Sequence, residues 1–378
     1  MKEFSFKTRI FYGEGALERL RRVRNKKVLI VTDHFISSIG LPAKIAEYLT
    51  DCQVSVFDGV VPDPPIEVVA AGISALQACG ADTLIAVGGG STIDAAKVIR
   101  IVAKETLKVD SDSWECFAIP TTSGTGSEVT DYAVISNRTE GIKYPLASRK
   151  LEPAIAILDP ELTVSVPPTV TADTGMDVLT HAIEAYVSTG ASDFSDALAE
   201  KAMEIVYKYL RKAYENGKDR LAREKMHIAS CMAGLAFNAA GLGVNHGMAH
   251  AIGAKLHISH GRINAILLPY IISYNAELET INTIPCRAAL KYQEAAKRLG
   301  LVASTPAEGV VSLVSTIVKM NLTMKIPTTL KAWGANPDRV EELRSEIVAA
   351  ALADATTSFN PRKVTAEDLN QLLTQVTG

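Results

Sequence analysis

Short apolar runs rich in β-branched residues alternate with helical stretches over the first half of the chain, the pattern of a parallel sheet covered by helices. Lys26–Asp33, Cys52–Gly59, Ala81–Gly90, Glu115–Thr122 and Ala154–Pro160 predict strands, and GLPAKIAEYL and IEVVAAGISALQACG predict helices between them. After Pro167 and Pro168 the pattern changes. Stretches such as DALAEKAMEIVYKYLRKAY and VEELRSEIVAAALADA carry their apolar residues at a period of about 3.6, and convincing strands disappear. Thr365 and Asp368 in TAEDLNQLL have the spacing of a capping box at the start of the last helix. There is no internal repeat. The expected organisation is an α/β domain over residues 1–166 and an all-helical domain over 167–378, with a ligand in the cleft between them.

Length and composition agree with this division. A chain of 378 residues exceeds the ~250 to 300 at which single cores stop growing. Hydrophobic residues at 47%, charged residues at 21% and a net charge of -3 describe an ordinary globular protein without a basic footprint for nucleic acid or an acidic membrane surface. The amino terminus, MKEFSFKTRIFYGEG, lacks the apolar run of a signal peptide. The most apolar stretch, Ala229 to Val244, is interrupted by Ser230 and Asn238, falls short of the ~20 residues that span a bilayer, and predicts a buried helix. Five scattered cysteines without a C-x-x-C pair suggest neither a disulfide framework nor a thiolate metal site. The expected location is the cytoplasm or a compartment within it.

Two glycine-rich turns carry the first candidate chemistry. LIAVGGGSTIDAAKVI is a strand, then Gly88, Gly89 and Gly90, then a helix in which Ser91 and Asp94 have the spacing of an N-terminal cap. Glycines there let the backbone approach a ligand, and the unpaired N–H groups at a helix start favour an anion such as a pyrophosphate. The same glycines can also serve only the dihedral angles of the turn. The second turn, IPTTSGTGSEVT, offers six hydroxyl side chains around Gly124 and Gly126. Asp33, at the end of the first long strand, stands where an acid accepts from a ribose 2′-hydroxyl and favours NAD over NADP, although acids are common in turns generally.

Histidine supplies the second. Four of the seven histidines fall between His246 and His260. Asp177 and His181 are spaced i,i+4 in a helical pattern, as are His246 and His250, so each pair shares a helix face. One carboxylate and up to four imidazoles form a borderline nitrogen and oxygen set suited to Fe(II), Zn or a similar divalent ion. The H-E-x-x-H signature of metalloproteases is absent.

Together these segments resemble one family, the iron-containing or group III alcohol dehydrogenases, within the superfamily that also holds glycerol dehydrogenase and dehydroquinate synthase. The resemblance runs from the amino-terminal strand to NPR at Asn360 to Arg362, through GGGSTIDAAK, IPTTSGTGSEVT, GMDVLTHAIEAYVS and HGMAHAIGAKLHISHGRINAILLP in the family's order and spacing. It implies a Rossmann-like dinucleotide-binding domain followed by an all-α metal-binding domain. It makes Asp177, His181, His246 and His260 the metal ligands and places His250 beside the nicotinamide. It also places the GGGS turn on the pyrophosphate, with Thr121, Thr122, Thr125, Ser127 and Lys143 near the dinucleotide, and Asp33 at the position favouring NAD. Ala251 and Ser259 stand where many members have proline, and His257 matches no functional position. Within the family, GIKYPL, AILDPELTVSVPP and SDFSDALAEKA look like the 1-propanol dehydrogenases of propanediol-utilising bacterial microcompartments.

The implied reaction is reversible hydride transfer between a short primary alcohol and NAD with Fe(II) or Zn. The expected partners are the alcohol or aldehyde, further copies of the chain as a homodimer or higher homo-oligomer, and microcompartment shell or co-encapsulated enzymes. A polyol dehydrogenase of the same superfamily is the nearest alternative. A metal-dependent hydrolase would leave the two glycine-rich turns without a purpose, and an NAD-binding scaffold would be expected to have lost a ligand.

Overall fold

The computed structural model describes residues 3–107, 114–137, 142–278, 280–281 and 283–378. They form two compact units, Met1–Ser165 and Val166–Gly378.

The first unit is built on a parallel sheet of six strands, β1 (Arg9–Tyr12), β2 (Lys27–Asp33), β3 (Gln53–Val60), β4 (Thr83–Gly88), β5 (Glu115–Pro120) and β8 (Ile155–Leu158), in the order β3-β2-β4-β5-β8-β1. Helices α1 (His34–Ser38), α2 (Leu41–Ala46), α3 (Ile66–Cys79) and α4 (Gly90–Leu107) connect the strands. Every residue of β4 is buried, as a central strand covered on both faces requires. The two-residue period divides its neighbours between two cores. Leu29, Leu84, Ala86 and Cys116 pack with Leu76 and Ile99, whereas Val28, Ile85, Val87 and Phe117 pack with Leu20, Ile45 and Leu49. A separate antiparallel pair, β6 (Tyr132–Asn137) and β7 (Ile142–Ala147), was not anticipated by the apolar pattern.

The sheet order fixes where a ligand can enter. From β2 the chain moves outward to β3 and returns on the opposite side as β4. The reversal makes the carboxyl ends of β2 and β4 a topological switch point, the usual ligand position in open α/β sheets.

The second unit is helical among its described residues. It comprises α5 (Pro168–Val187), α6 (Asp193–Glu215), α7 (Arg220–Ala240), α8 (Val244–Leu256), α9 (His260–Asn275), α10 (Arg287–Arg298), α11 (Pro306–Thr323), α12 (Leu330–Trp333), α13 (Pro337–Ala353) and α14 (Ala366–Thr377). Pro168 opens α5, where a missing N–H costs nothing. From Gly175 to Val187 every residue of α5 is buried, so this helix is the axis of the core. Thr365 and Asp368 close the expected capping box on α14. The apolar stretch from Ala229 to Val244 is not one helix. It ends α7 and begins α8 after a break, with Gly241 at φ 78° and the two helices bent by 107°. Among the described residues no single helix is long and apolar enough to cross a membrane.

Candidate functional site

At the carboxyl edge of the sheet, the ends of β2, β4 and β5 are tied together. Thr32 Oγ1 donates to the Val87 carbonyl at 2.7 Å, and the Thr121 N–H donates to the Gly88 carbonyl at 3.0 Å. Asp33 ends β2, and its Oδ1 accepts the Ile36 N–H at 2.9 Å, which caps α1. The helix after the glycines begins earlier than the Ser91–Asp94 spacing predicts. Gly89 O accepts the N–H groups of Thr92 and Ile93, so Ser91 already lies inside α4 and does not cap it. Asp94 instead fastens the second turn, its carboxylate accepting Ser127 Oγ at 2.5 Å and the Val134 N–H at 2.9 Å. Burial raises the Asp94 carboxyl above its ordinary range, opposed by Lys97, Ser127 and Val134. The buried Lys97 ammonium donates to Thr130 Oγ1 at 3.0 Å and Tyr132 O at 2.8 Å.

The two turns interlock. A Cβ on Gly90 would lie 2.6 Å from Thr125 Cγ2, and one on Gly88 would lie 2.5 Å from Thr92 Oγ1. Glycine is needed at Gly90 for close packing between the turns and at Gly88 for packing within the first. At Gly89 the nearest atom to an added Cβ, Thr122 Oγ1, is 3.4 Å away, an ordinary contact. Ser127 is buried against Asp94, while Thr122 and Thr125 remain partly exposed. Lys143, in β7, pairs through its backbone with Ser136 of β6, and its side chain lies outside the described residues.

In the helical unit, Asp177, His181, His246 and His260 converge from α5, α8 and α9, each offering a donor atom within 4.8 Å of the others. The first three are buried and His260 is partly open, with 41% of its side chain exposed. Stacking holds the rings: His181 lies 4.6 Å from both Phe237 and His246 by ring centroid. Burial, reinforced by the neighbouring imidazoles of His181, His260 and His250, pushes His246 well below its ordinary pKa, which keeps it in the neutral form a cation needs. One carboxylate and three imidazoles therefore fit a divalent ion of the iron or zinc type.

His250 stands apart from that quartet. Its Nδ1 hydrogen-bonds Asp354 Oδ2 at 2.8 Å, and its ring stacks on His260 at 5.3 Å. His257 is exposed, in a left-handed conformation at φ 54° that ends α8. Sequence reasoning did not single out Asp354, Asn264 or Glu184. Asn264 Nδ2 donates to Asp177 Oδ1 at 2.7 Å and lies 3.2 Å from Nε2 of both His246 and His260. Asn360 of the NPR segment accepts the Val244 N–H at 3.2 Å and so braces the start of α8.

Two family models match, iron-containing alcohol dehydrogenase over residues 7–160 and the Fe-containing alcohol dehydrogenase family, C-terminal, over residues 171–377. The chain belongs to the iron-containing alcohol dehydrogenase family. Among its relatives, the 1-propanol dehydrogenase PduQ of Citrobacter freundii is 44% identical over the full length of both chains. The NADPH-dependent butanol dehydrogenase of Clostridium saccharobutylicum is 39% identical over 98% of this chain and 97% of its own. Of the solved structures, a 1,3-propanediol oxidoreductase superposes with a TM-score of 0.90 at 31% identity over the whole of both chains. A sulfoacetaldehyde reductase from Bifidobacterium kashiwanohense in complex with NAD+ superposes with a TM-score of 0.88 at 28% identity over 100% of this chain and 99% of its own.

Proposed function

We propose that this iron-containing alcohol dehydrogenase interconverts short primary alcohols and aldehydes such as 1-propanol and propanal with NAD(H), in the direction that regenerates NAD. The observation that carries the reading is the convergence of Asp177, His181, His246 and His260 in a chain that also has two interlocked glycine-rich turns at the carboxyl edge of a parallel sheet. A divalent ion, Fe(II) or Zn, supplies Lewis acidity toward the reacting oxygen, and NAD(H) supplies the hydride acceptor or donor. The four side chains hold the ion. Gly88 to Gly90, with Ser91, Asp94, Thr121, Thr122, Thr125 and Ser127, would shape the dinucleotide site, and Asp33 would accept from the ribose. Asp354 accepts from Nδ1 of His250, which leaves Nε2 as the atom that takes and releases a proton.

Metal analysis of anaerobically purified protein, coupled to an NADH assay over C2 to C4 aldehydes, tests the reading. Asp177→Ala and His260→Ala are each expected to lose the metal and the activity with the fold intact; full turnover by metal-free protein would refute it. The likeness to a 1,3-propanediol oxidoreductase supports a polyol dehydrogenase as the second reading, and relative rates with propanal and glycerol separate the two. Packaging as a homo-oligomer in a bacterial microcompartment rests on the motifs shared with microcompartment propanol dehydrogenases, and co-purification with shell proteins tests it.

A further inference from the structure

Glu184 lies on α5 three residues after His181 and is buried between the start of α8 and the ring of His246. Its Oε1 accepts the Asn245 N–H at 2.8 Å. A Cβ on Gly243 would come within 2.7 Å of this oxygen, so the residue must be glycine for the carboxylate to reach α8. The other oxygen, Oε2, meets His246 Nδ1. At the opposite edge of the ring, Nε2 faces Asn264 Nδ2 at 3.2 Å. The Asn264 amide has one orientation available, because Nδ2 donates to Asp177 while Oδ1 accepts from Asn245 Nδ2 at 2.9 Å. With one Nδ2 hydrogen on Asp177, the second is available to Nε2, and a lone pair there places the ring proton on Nδ1, toward Glu184.

We infer that Glu184 is a positioning residue for the metal centre: its Oε2 holds His246 in the Nδ1–H tautomer, with the Nε2 lone pair turned toward Asp177, His181 and His260. The inference rests on the metal reading of those four side chains. Carboxylates behind ligating histidines fix ring orientation and raise ligand basicity in this way. Glu184 also caps the first turn of α8, a purely structural role that has to be separated from the positioning role.

Glu184→Gln separates them. The Asn245 N–H donor holds a carbonyl oxygen at the Oε1 position, so the glutamine amide NH2 faces Nδ1. The cap survives, but Nδ1 must now accept, and the ring proton moves to Nε2, where it blocks the ion. The experiment titrates zinc against a competing chelator into metal-free wild-type and E184Q protein, with 15N-histidine spectra recorded throughout. The expected result is zinc binding ten- to hundredfold weaker in E184Q. Zinc-loaded wild-type protein should show His246 coordinated through Nε2, with a strongly downfield Nδ1–H resonance that is lost in the variant. Zinc affinity of E184Q within twofold of wild type, or His246 coordinated through Nδ1, overturns the role of Glu184 and leaves the metal centre standing. A wild-type chain that takes up no zinc overturns both. If E184Q does not fold, the Nδ1–H resonance of the zinc-loaded wild-type protein decides alone, and its absence from the downfield region overturns the inference.

Discussion

Asp354 does two jobs with one carboxylate. It accepts from His250 Nδ1, and it accepts the Thr356 N–H at 2.9 Å and the Thr356 hydroxyl at 2.6 Å. Burial alone would raise its pKa, but the hydrogen bond and charge of His250, with the two Thr356 donors, outweigh it and bring the carboxyl to about 2. A carboxyl depressed in the folded state contributes stability above its unfolded pKa and loses it as the pH falls toward the folded value. Asp354→Asn should therefore cost on the order of 2 kcal/mol at neutral pH, with the deficit closing between about pH 4 and pH 2. Chemical denaturation of both proteins across that range measures it, and a deficit independent of pH would exclude the carboxylate charge as its source. His250→Ala is expected to shift the pH dependence of turnover; an unchanged profile would remove His250 from proton transfer. At this scale the sequence displays candidates but not roles. The i,i+4 spacing marks Asp177 with His181 and His246 with His250 alike, yet His250 turns to Asp354, 104 residues away. Glu184, Asn264 and Asp354 are ordinary polar residues in helical or loop patterns, and only the fold tells what they face.

Among the elements, the strand–glycine–helix unit of β4 and α4 makes the sharpest claim, because its three glycines differ sterically. Gly90→Ala and Gly88→Ala force a methyl group to within 2.6 and 2.5 Å of Thr125 and Thr92, and should lower the melting temperature and weaken NAD binding together. Gly89→Ala meets only an ordinary contact in the protein itself. It should keep the melting temperature near wild type, while NAD binding falls if the dinucleotide backbone passes over Gly89. Thermal unfolding and NADH fluorescence titration read the two effects separately, and a Gly89→Ala protein as unstable as Gly90→Ala would contradict the steric account. The strands β2, β4, β5 and β8 were legible because both faces of a parallel sheet are covered, which writes a continuous apolar run into the sequence. The β6–β7 pair was not. Its strands pair only with each other in their sheet, and Pro145, opposite Val134, is a residue that reads against a strand except at an edge.

For the molecule as a whole, the candidate residues for the two ligands divide between the two units. The four candidate metal ligands come from α5, α8 and α9, all within Val166–Gly378, and the two glycine-rich turns lie within Met1–Ser165. The composition shift at Pro167 and Pro168 is visible because apolar residues fall in short continuous runs in the central strands and at a period of about 3.6 in the helices that follow. A ligand that binds only the folded state adds RT ln(1 + [L]/Kd), about 2.7 kcal/mol at a hundredfold excess over Kd, to the unit that holds it. Chelating the metal should therefore speed amide hydrogen exchange in α5, α8 and α9 and leave β2, β4 and β5 at their original rates. Adding NAD to the metal-free protein should slow exchange around Gly88 to Gly90 and Thr121 to Ser127 without restoring the three helices. If chelation loosened β4 as much as α8, the stabilising ion would lie outside the Asp177, His181, His246 and His260 group. If it changed neither, those four side chains would be packed polar residues holding no ion.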